Sequence, residues 1–180
     1  SEMCIRDSQA CYIPVGHVDG TQLDMTQVLN QLSGLFADST LAIVGHNLKY
    51  DLTILETVGL MPKCQLADTM LMSYVLDAAA GRHDMDSLAK RLLGVETTSY
   101  EDVCGKGAKQ ISFAEVALEP ASHYASEDAD ITLRLYEQFV QRLNQVPSLQ
   151  SIYQELELPV MQILRAVSYT HLRAHETLLY

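Results

Sequence analysis

The stretch GHNLKYD, Gly45–Asp51, stands between an apolar run and a segment with helical periodicity. The run before it, Leu41–Val44, predicts a buried strand. The segment after it ends at Gly59 and predicts a short helix.

The predicted helix carries a carboxylate among its apolar residues. Residues that recur at three- and four-residue spacing share one face of a helix. Here they are Leu48, Asp51, Leu52, Leu55 and Val58. This spacing predicts that Asp51 faces the core, where a carboxylate is costly unless it is paired, hydrogen-bonded or bound to a metal. Asp51 is therefore the first candidate functional residue.

Composition indicates a folded domain with an acidic balance. The 180 residues are 48% hydrophobic and 19% charged, which is enough for one substantial core. The net charge of -11 argues against a protein that grips long duplexes by neutralising phosphates. The four cysteines show no C-x-x-C spacing, so we expect no zinc site and a reduced, cytoplasmic state. No apolar run reaches the length of a membrane-spanning helix, and no membrane partner is expected.

The rest of the chain alternates short predicted strands and helices. Apolar periodicity and capping residues define these elements. Strands are predicted at Gln9–His17 and Gln65–Ala67, helices after Asp24 and at Asp68–Leu76, Ser87–Leu93, Pro120–Asn144 and Ser151–Ala166, a loop at Thr97–Ile111, and a capping box at Ser112 and Glu115.

Both ends of the sequence differ in character from the middle. Residues 1–8 match neither a helix nor a strand template, and residues 167–180 share that unusual composition. Both resemble read-through strings found at the ends of metagenomic gene predictions. We expect them to be non-native and exclude them from the fold argument.

A second carboxylate lies on another predicted helix. Tyr124 and Asp128 are four residues apart and share a face with apolar Ala121, Ile131 and Leu135. Two carboxylates on apolar faces of separate helices suggest convergence on a hard divalent cation such as Mg²⁺. The alternative is that both residues are helix caps or structural hydrogen-bonding partners.

Three stretches together carry a family resemblance. They are GHNLKYD, then DTMLMSYVLDAAAGRHDMDSLA at Asp68–Ala89, and YASEDADITL at Tyr124–Leu133. In order and spacing they resemble the 3′–5′ proofreading exonuclease domains of bacterial DNA polymerase I, within the ribonuclease-H-like DEDD exonucleases. The resemblance runs from about Tyr12 to Ala166. It implies an α/β fold with a ribonuclease H-like mixed sheet flanked by helices.

The resemblance also implies domain limits and partners. The exonuclease domain is expected at residues 9–145, and residues 146–166 are expected to lead toward a polymerase domain of the same natural chain. The implied substrate is the 3′ end of single-stranded DNA. The chain is expected to be a monomer.

The same resemblance implies a role for particular residues. Asp51 and Asp128 match metal-binding carboxylates, and two Mg²⁺ or Mn²⁺ ions are the implied cofactors. Tyr124 matches the tyrosine that positions the attacking water. The positions that match substrate contacts are Asn47, Tyr50, Arg82, Tyr100 and His46, the last in place of a family glutamine.

One expected motif is missing from the sequence. The family supplies two further metal-binding carboxylates from an Asp-x-Glu on the first strand of the sheet. Residues 1–11 do not contain that motif. We therefore expect this chain to lack the first strand or strands of the sheet and to be inactive by itself. Two alternatives remain, a non-catalytic structural module of a polymerase and a related exoribonuclease.

The remaining polar candidates have structural explanations. His46 and His83 lie near predicted helix starts, where histidines commonly make structural hydrogen bonds. Other polar residues are expected to cap helices or to be solvated. The expected caps are Asp68 and Asp86, and the expected solvated residues are Lys106, Lys109 and Asp130.

Overall fold

The computed structural model describes residues 2–4 and 9–177, with side chains described for residues 10–167. Short strands and longer helices alternate along the chain. The strands are β1 (Glu2–Cys4), β2 (Gln9–Cys11), β3 (Ala42–Gly45) and β4 (Gln65–Asp68). The helices are α1 (Met25–Ala37), α2 (Leu48–Thr57), α3 (Thr69–Leu76), α4 (Met85–Leu88), α5 (Tyr100–Cys104), α6 (Leu118–Asn144), α7 (Pro147–Ser151) and α8 (Leu158–Thr177).

The chain divides into two compact units. The first unit contains Ser1–Leu32 and Asp84–Leu135. The second contains Ser33–His83 and Tyr136–Tyr180. Each unit has its own apolar core.

The second unit is built on the parallel pair β3 and β4. Ala42 lies opposite Gln65, and Gly45 lies opposite Asp68, so the two strands end at the same level. A parallel pair needs a crossover connection, which α2 provides. The predicted strand and helix at Leu41–Gly59 are thereby confirmed within one residue at each strand end.

The core of the second unit forms where α8 packs on α2. Leu48 and Leu52 of α2 pack with Met161 of α8, and all three are buried. Burying each such side chain contributes about 1.5–3 kcal/mol relative to exposure. An ion pair between Arg165 and Glu56 joins the same two helices at 2.5 Å. The position of α2 therefore depends on packing against α8.

The first unit has a small core formed by loops and helix ends. Its buried residues are Cys104, Val116 and Ala121. Tyr12, Val103 and Phe113 pack against them, and Ala121 belongs to the first turns of α6. These contacts fix the start of α6, the helix that carries Tyr124 and Asp128.

The described parts of the sheet are smaller than expected. In residues 2–4 and 9–177 the strands form two two-stranded sheets, the parallel pair β3–β4 and the antiparallel pair β1–β2. The strand predicted at Gln9–His17 ends at Cys11. Residues 1–8 were expected to match no regular element, whereas Glu2–Cys4 pairs with Gln9–Cys11. The other residues of that segment lie outside the described part.

One predicted loop contains a helix. The segment Thr97–Ile111 holds α5, which begins after Ser99. The side chains of Ser99 and Asp102 each accept from the backbone of the other, forming a capping box. The prediction was wrong because this Ser-x-x-Asp signal precedes only five helical residues. The capping box predicted at Ser112 and Glu115 is confirmed.

Helices continue to the end of the described chain. The predicted segment Ser151–Ala166 is helical, but α8 continues to Thr177, into the part we expected to be non-native. None of the helices in the described residues has the length and apolar character needed to cross a membrane.

Candidate functional site

Asp51 lies at the edge of the apolar stripe of α2. The buried residues of this helix are Leu48 and Leu52, whereas Asp51 is exposed. The prediction that Asp51 faces the core was therefore wrong. Three residues after Leu48 correspond to an offset of about 60° around the helix, enough to reach the margin of the stripe. There a carboxylate keeps part of its hydration and avoids the cost of full burial.

Protein atoms nevertheless crowd the carboxylate of Asp51. A Cβ added at Gly45 would lie 3.4 Å from Asp51 Oδ2, so the carboxylate lies close to the end of β3. Desolvation, followed by repulsion from the Asp68 carboxylate, raises the pKa of Asp51 to about 6. The ionised form is thus held at a cost, which a bound cation would reduce.

Asp68 holds the start of α2 and the start of α3 at once. Its side chain is almost completely buried, at 1% exposure. Oδ2 accepts from Leu48 N at 2.9 Å, and Oδ1 accepts from Asn47 N at 3.2 Å. Oδ1 also accepts from Met70 N at 2.9 Å and Leu71 N at 3.3 Å. The predicted cap at Asp68 is confirmed for α3, and the additional bonds to α2 position the helix that carries Asp51.

Two further hydrogen bonds support this junction. Tyr153 Oη accepts from the backbone N–H of Asp68 at 2.9 Å. The Thr69 hydroxyl donates to Gly45 O at 3.1 Å, and His46 Nδ1 lies 2.9 Å from that hydroxyl. His46 therefore makes a structural hydrogen bond at the end of the sheet. Its predicted contact with substrate stays a prediction.

Asn47 has a left-handed backbone at the entrance to α2, with φ 60° and ψ 46°. Among the described residues it is the sole non-glycine residue with positive φ. Asparagine tolerates this conformation better than most residues, and β-branched residues tolerate it poorly. The backbone turn places both the Asn47 and the Leu48 N–H groups on Asp68.

We expect Asn47→Gly and Asn47→Val to have different effects on stability. Glycine adopts positive φ without strain, so Asn47→Gly should change the free energy of unfolding by about 0.5 kcal/mol or less. Valine should lower it by about 1–3 kcal/mol because of backbone strain. Urea denaturation followed by circular dichroism measures both. Equal loss in the two variants would mean that the side chain, and not the left-handed backbone, stabilises this turn.

Tyr124 and Asp128 interact on α6, as their spacing predicts. Both side chains are partly buried, while Ala121 and Ile131 on the same helix are buried. Desolvation raises the pKa of Asp128 to about 6, although its hydrogen bond with Tyr124 opposes the rise. Desolvation and the neighbouring Asp128 charge raise the pKa of the Tyr124 phenol well above 10, which keeps it protonated.

One oxygen of Asp128 is buried without a hydrogen-bonding partner. This atom is Oδ1. A buried carboxylate oxygen that accepts no hydrogen bond costs free energy, and a cation is one group that would satisfy it. Within residues 10–167, no three histidine, cysteine, aspartate or glutamate side chains gather closely enough to hold a metal ion. Metal binding by Asp51 and Asp128 therefore stays a prediction.

The other predicted substrate contacts are accessible side chains. Tyr50 is 66% exposed and Tyr100 is 42% exposed, and Arg82 and Asn47 are exposed as well. Tyr100 lies beside Tyr124, with ring centroids 6.3 Å apart. These side chains can reach a ligand, and their roles stay predictions.

Several residues with expected structural roles have such partners. His83 is buried, with Nδ1 2.7 Å from Ser73 Oγ and its ring stacked on Tyr74. The expectation for Asp86 was wrong. Asp84, and not Asp86, caps α4. Asp86 lies inside the helix, and its side chain accepts a hydrogen bond from the Thr97 hydroxyl.

Asp130 and Lys106, which were expected to be solvated, form ion pairs in the first unit. Asp130 pairs with Arg134 one turn along α6, at 3.4 Å. Lys106 pairs with Glu101. Both pairs are exposed, so each contributes little to stability.

The candidate residues fall into two groups. Tyr100, Tyr124 and Asp128 lie together in the first unit. The residues His46, Asn47, Tyr50, Asp51 and Arg82 belong to the second unit. Convergence of Asp51 and Asp128 on one ion stays a prediction.

Two residues that support the candidate site were not identified from the sequence. Tyr153 supports Asp68, and Phe113 lies among the aromatic rings around Tyr124. Neither position has a sequence signal, because each role arises from contacts with residues distant along the chain.

Comparison with known proteins identifies the region of similarity. The profile of a 3′–5′ exonuclease family matches residues 1–144. DNA polymerase I of Pseudomonas aeruginosa is 41% identical over 91% of this chain and 18% of its own length. DNA polymerase I of Rhizobium leguminosarum is 38% identical over 87% of the chain and 16% of its own length. DNA polymerase I of Chloroflexus aurantiacus is 36% identical over 95% of the chain and 18% of its own length.

Proposed function

The chain belongs to the 3′–5′ exonuclease family of the DNA polymerase I proteins, and we propose that the domain it represents removes nucleotides from DNA 3′ ends during proofreading. Family membership implies a ribonuclease H-like fold. The chain spans less than a fifth of the length of the relatives compared with it. Linkage to a polymerase domain, with the exonuclease domain at residues 9–145 and a connecting segment at 146–166, is part of this proposal.

The observation that carries the proposal is the pair formed by Tyr124 and Asp128. A neutral phenol lies beside a carboxylate whose buried oxygen lacks a partner. By this proposal, Asp51 and Asp128 would each serve as a ligand to Mg²⁺ or Mn²⁺, with two ions in the complete domain. Such ions would supply stabilisation of the attacking and leaving oxygens in hydrolysis of the terminal phosphodiester.

The remaining residues of the proposed site orient the substrate and the water. The Tyr124 hydroxyl positions the attacking water, since it stays protonated and retains a hydrogen-bonding oxygen. The exposed Tyr100 ring stacks on a terminal base, which any base sequence permits. The proposed contacts with the 3′ end of single-stranded DNA are His46, Asn47, Tyr50 and Arg82.

A second candidate is a non-catalytic module within a polymerase. It is favoured by the missing Asp-x-Glu motif and by the lack of a three-ligand group among residues 10–167. The exonuclease is preferred because Tyr124, Asp128 and Asp51 are all present. The DNA polymerase relatives favour DNA over RNA as the substrate class. By this proposal the 180-residue chain binds metal weakly and does not hydrolyse DNA by itself.

Metal binding provides the test. We expect Mn²⁺ to bind the chain weakly in calorimetry with a single-stranded oligonucleotide present. Asp51→Ala and Asp128→Ala should each reduce the heat of binding, because each carboxylate is a proposed metal ligand. Asp130→Ala is the matched control, since its carboxylate lies on the same helix in an exposed ion pair.

The outcomes separate the two candidate functions. Binding that persists in both Asp51→Ala and Asp128→Ala would contradict convergence of these residues on a metal. If the wild-type chain does not bind Mn²⁺, a version of the chain extended by the Asp-x-Glu strand of a family relative decides. Failure of that version to digest single-stranded DNA with Mg²⁺ would favour the non-catalytic module.

A further inference from the structure

Three aromatic rings of the first unit contact one another pairwise. Phe113 lies 6.4 Å from Tyr100 between ring centroids, with an angle of 24° between the planes. Phe113 lies 5.9 Å from Tyr124 at 57°, and Tyr100 lies 6.3 Å from Tyr124 at 71°. All three distances are within the range of favourable aromatic pairs, which is about 4.5–7 Å. The rings form a triangle with Phe113 at one corner.

Two further rings that contact Phe113 are hydrogen-bonded to each other. Tyr12 and His17 lie 6.4 and 5.8 Å from Phe113 between centroids. His17 Nδ1 lies 3.0 Å from the carbonyl oxygen of Val116, so this nitrogen carries the proton and donates. Nε2 lies 2.5 Å from the Tyr12 hydroxyl, within hydrogen-bonding distance. These bonds fix two rings that contact Phe113.

The backbone around Phe113 is also fixed. Phe113 begins a single helical turn, Phe113–Glu115, closed by the capping box of Ser112 and Glu115. Val18 N donates to Ala114 O at 2.8 Å, which ties the turn to the N-terminal part of the unit. The next residue, Val116, is buried in the core. Phe113 therefore has little freedom to move relative to α6.

We propose that Phe113 is a positioning residue that fixes the rings of Tyr100 and Tyr124 relative to each other. This inference rests on the proposed function, in which Tyr100 stacks on a base and Tyr124 positions water. A ring in contact with both couples the base-stacking surface to the water-positioning hydroxyl. The distance and orientation between the 3′-terminal base and the attacking water are thereby fixed.

The ring geometry can be tested on the chain without substrate. Phe113→Leu and Phe113→Met keep an apolar side chain and remove the ring. Val103→Ala is the matched control, because Val103 packs on the same core without contributing a ring. Ring-labelled tyrosine and NMR report Tyr100 and Tyr124, which Tyr→Phe variants assign among the nine tyrosines.

We expect both Phe113 variants to weaken the cross-peak between the rings of Tyr100 and Tyr124, a change that loss of the Phe113 ring current does not produce by itself. Val103→Ala should leave this cross-peak unchanged. An unchanged cross-peak in a folded Phe113→Leu or Phe113→Met variant would overturn the proposal. The two variants differ in shape, so a folding failure of one leaves the other to decide.

A binding measurement links the geometry to the substrate. The probe is a single-stranded oligonucleotide with 2-aminopurine at its 3′ end, whose fluorescence falls on stacking. We expect Phe113→Met to weaken binding about three- to tenfold, the usual range for an aromatic contact. Tyr100→Ala should weaken it at least as much, and adding Phe113→Met to Tyr100→Ala should have little further effect.

The result distinguishes this inference from the proposed function. If Tyr100→Ala weakens binding and Phe113→Met does not, the positioning role is overturned and the proposed function stands. If neither the wild-type chain nor the version extended by an Asp-x-Glu strand quenches the probe, the proposed function fails. In that case the NMR comparison still decides whether Phe113 orders the two tyrosine rings.

Discussion

Replacing Asp68 with alanine is expected to lower the free energy of unfolding by about 3–5 kcal/mol. The Asp68 carboxylate is buried and accepts four backbone N–H groups, from Asn47, Leu48, Met70 and Leu71. Alanine would leave these donors at two helix starts without their acceptor. It would also leave a space at the junction of β4 and α3.

Asp68→Asn should be less damaging. The Asn carbonyl oxygen can replace Oδ1, which accepts from Asn47, Met70 and Leu71, but its NH₂ group would face the N–H of Leu48. We expect a loss of about 1–3 kcal/mol, the cost of one unsatisfied buried group. Asp130→Ala is the control, and an exposed ion pair of this kind should contribute no more than about 1 kcal/mol.

Urea denaturation of the three variants measures these differences. If Asp68→Ala lost less than about 1 kcal/mol, the four bonds would not be holding the helix starts. If Asp68→Ala is strongly destabilised, we also expect this variant to bind Mn²⁺ more weakly under native conditions. The reason is that Asp68 positions the start of α2, the helix that carries Asp51. Asp68 would then be established as a support for the site as well as a helix cap.

The second large effect is expected from Asp128→Asn, which should separate activity from stability. In a version of the chain extended by the Asp-x-Glu strand of a family relative, we expect a loss of about 10²–10³-fold or more in hydrolysis, the typical cost of removing one group that stabilises the transition state. Without metal, we expect the melting temperature at pH 7.5 to rise by about 2–4 °C, equivalent to about 1 kcal/mol. The neutral amide avoids the cost of an ionised carboxylate with a buried, unpartnered oxygen.

The pH dependence of stability provides a check on this explanation. Burial raises the pKa of Asp128 to about 6, well above its value in the unfolded chain. The folded state therefore gains a proton before the unfolded state does as the pH falls. The stabilisation that comes from protonating Asp128 in the folded state is complete below about pH 4 and is lost as the pH rises through about 6.

Thermal melts of the metal-free chain at pH 5 and pH 7.5 measure this effect. When the pH is lowered from 7.5 to 5, the melting temperature of the wild-type chain should rise relative to that of Asp128→Asn. The difference between the two melting temperatures should therefore be smaller at pH 5. Asp130→Asn should follow the wild-type chain at both pH values. A wild-type chain that is more stable than Asp128→Asn at pH 7.5 without metal would contradict the cost assigned to Asp128.

Local signals in the sequence located the main elements. The apolar run before Gly45 and the periodic segment after it correspond to β3 and α2, because burial and helical spacing are properties of neighbouring residues. The pair Tyr124 and Asp128 was predicted for the same reason, since four residues bring side chains together on any helix. Motif order and spacing pointed to the exonuclease family, which the family match confirmed.

The sequence was less informative wherever distant segments meet. It placed Asp51 in the core, because spacing alone does not distinguish the centre of an apolar stripe from its edge. Only the tertiary structure decided that Asp68 caps two helices, that Tyr153 supports it, and that Phe113 contacts the rings of Tyr100 and Tyr124. Apart from the bonds by which Asp68 caps α3, those contacts join residues that are 11 to 85 positions apart, and the fold brings them together through core packing that no local pattern specifies.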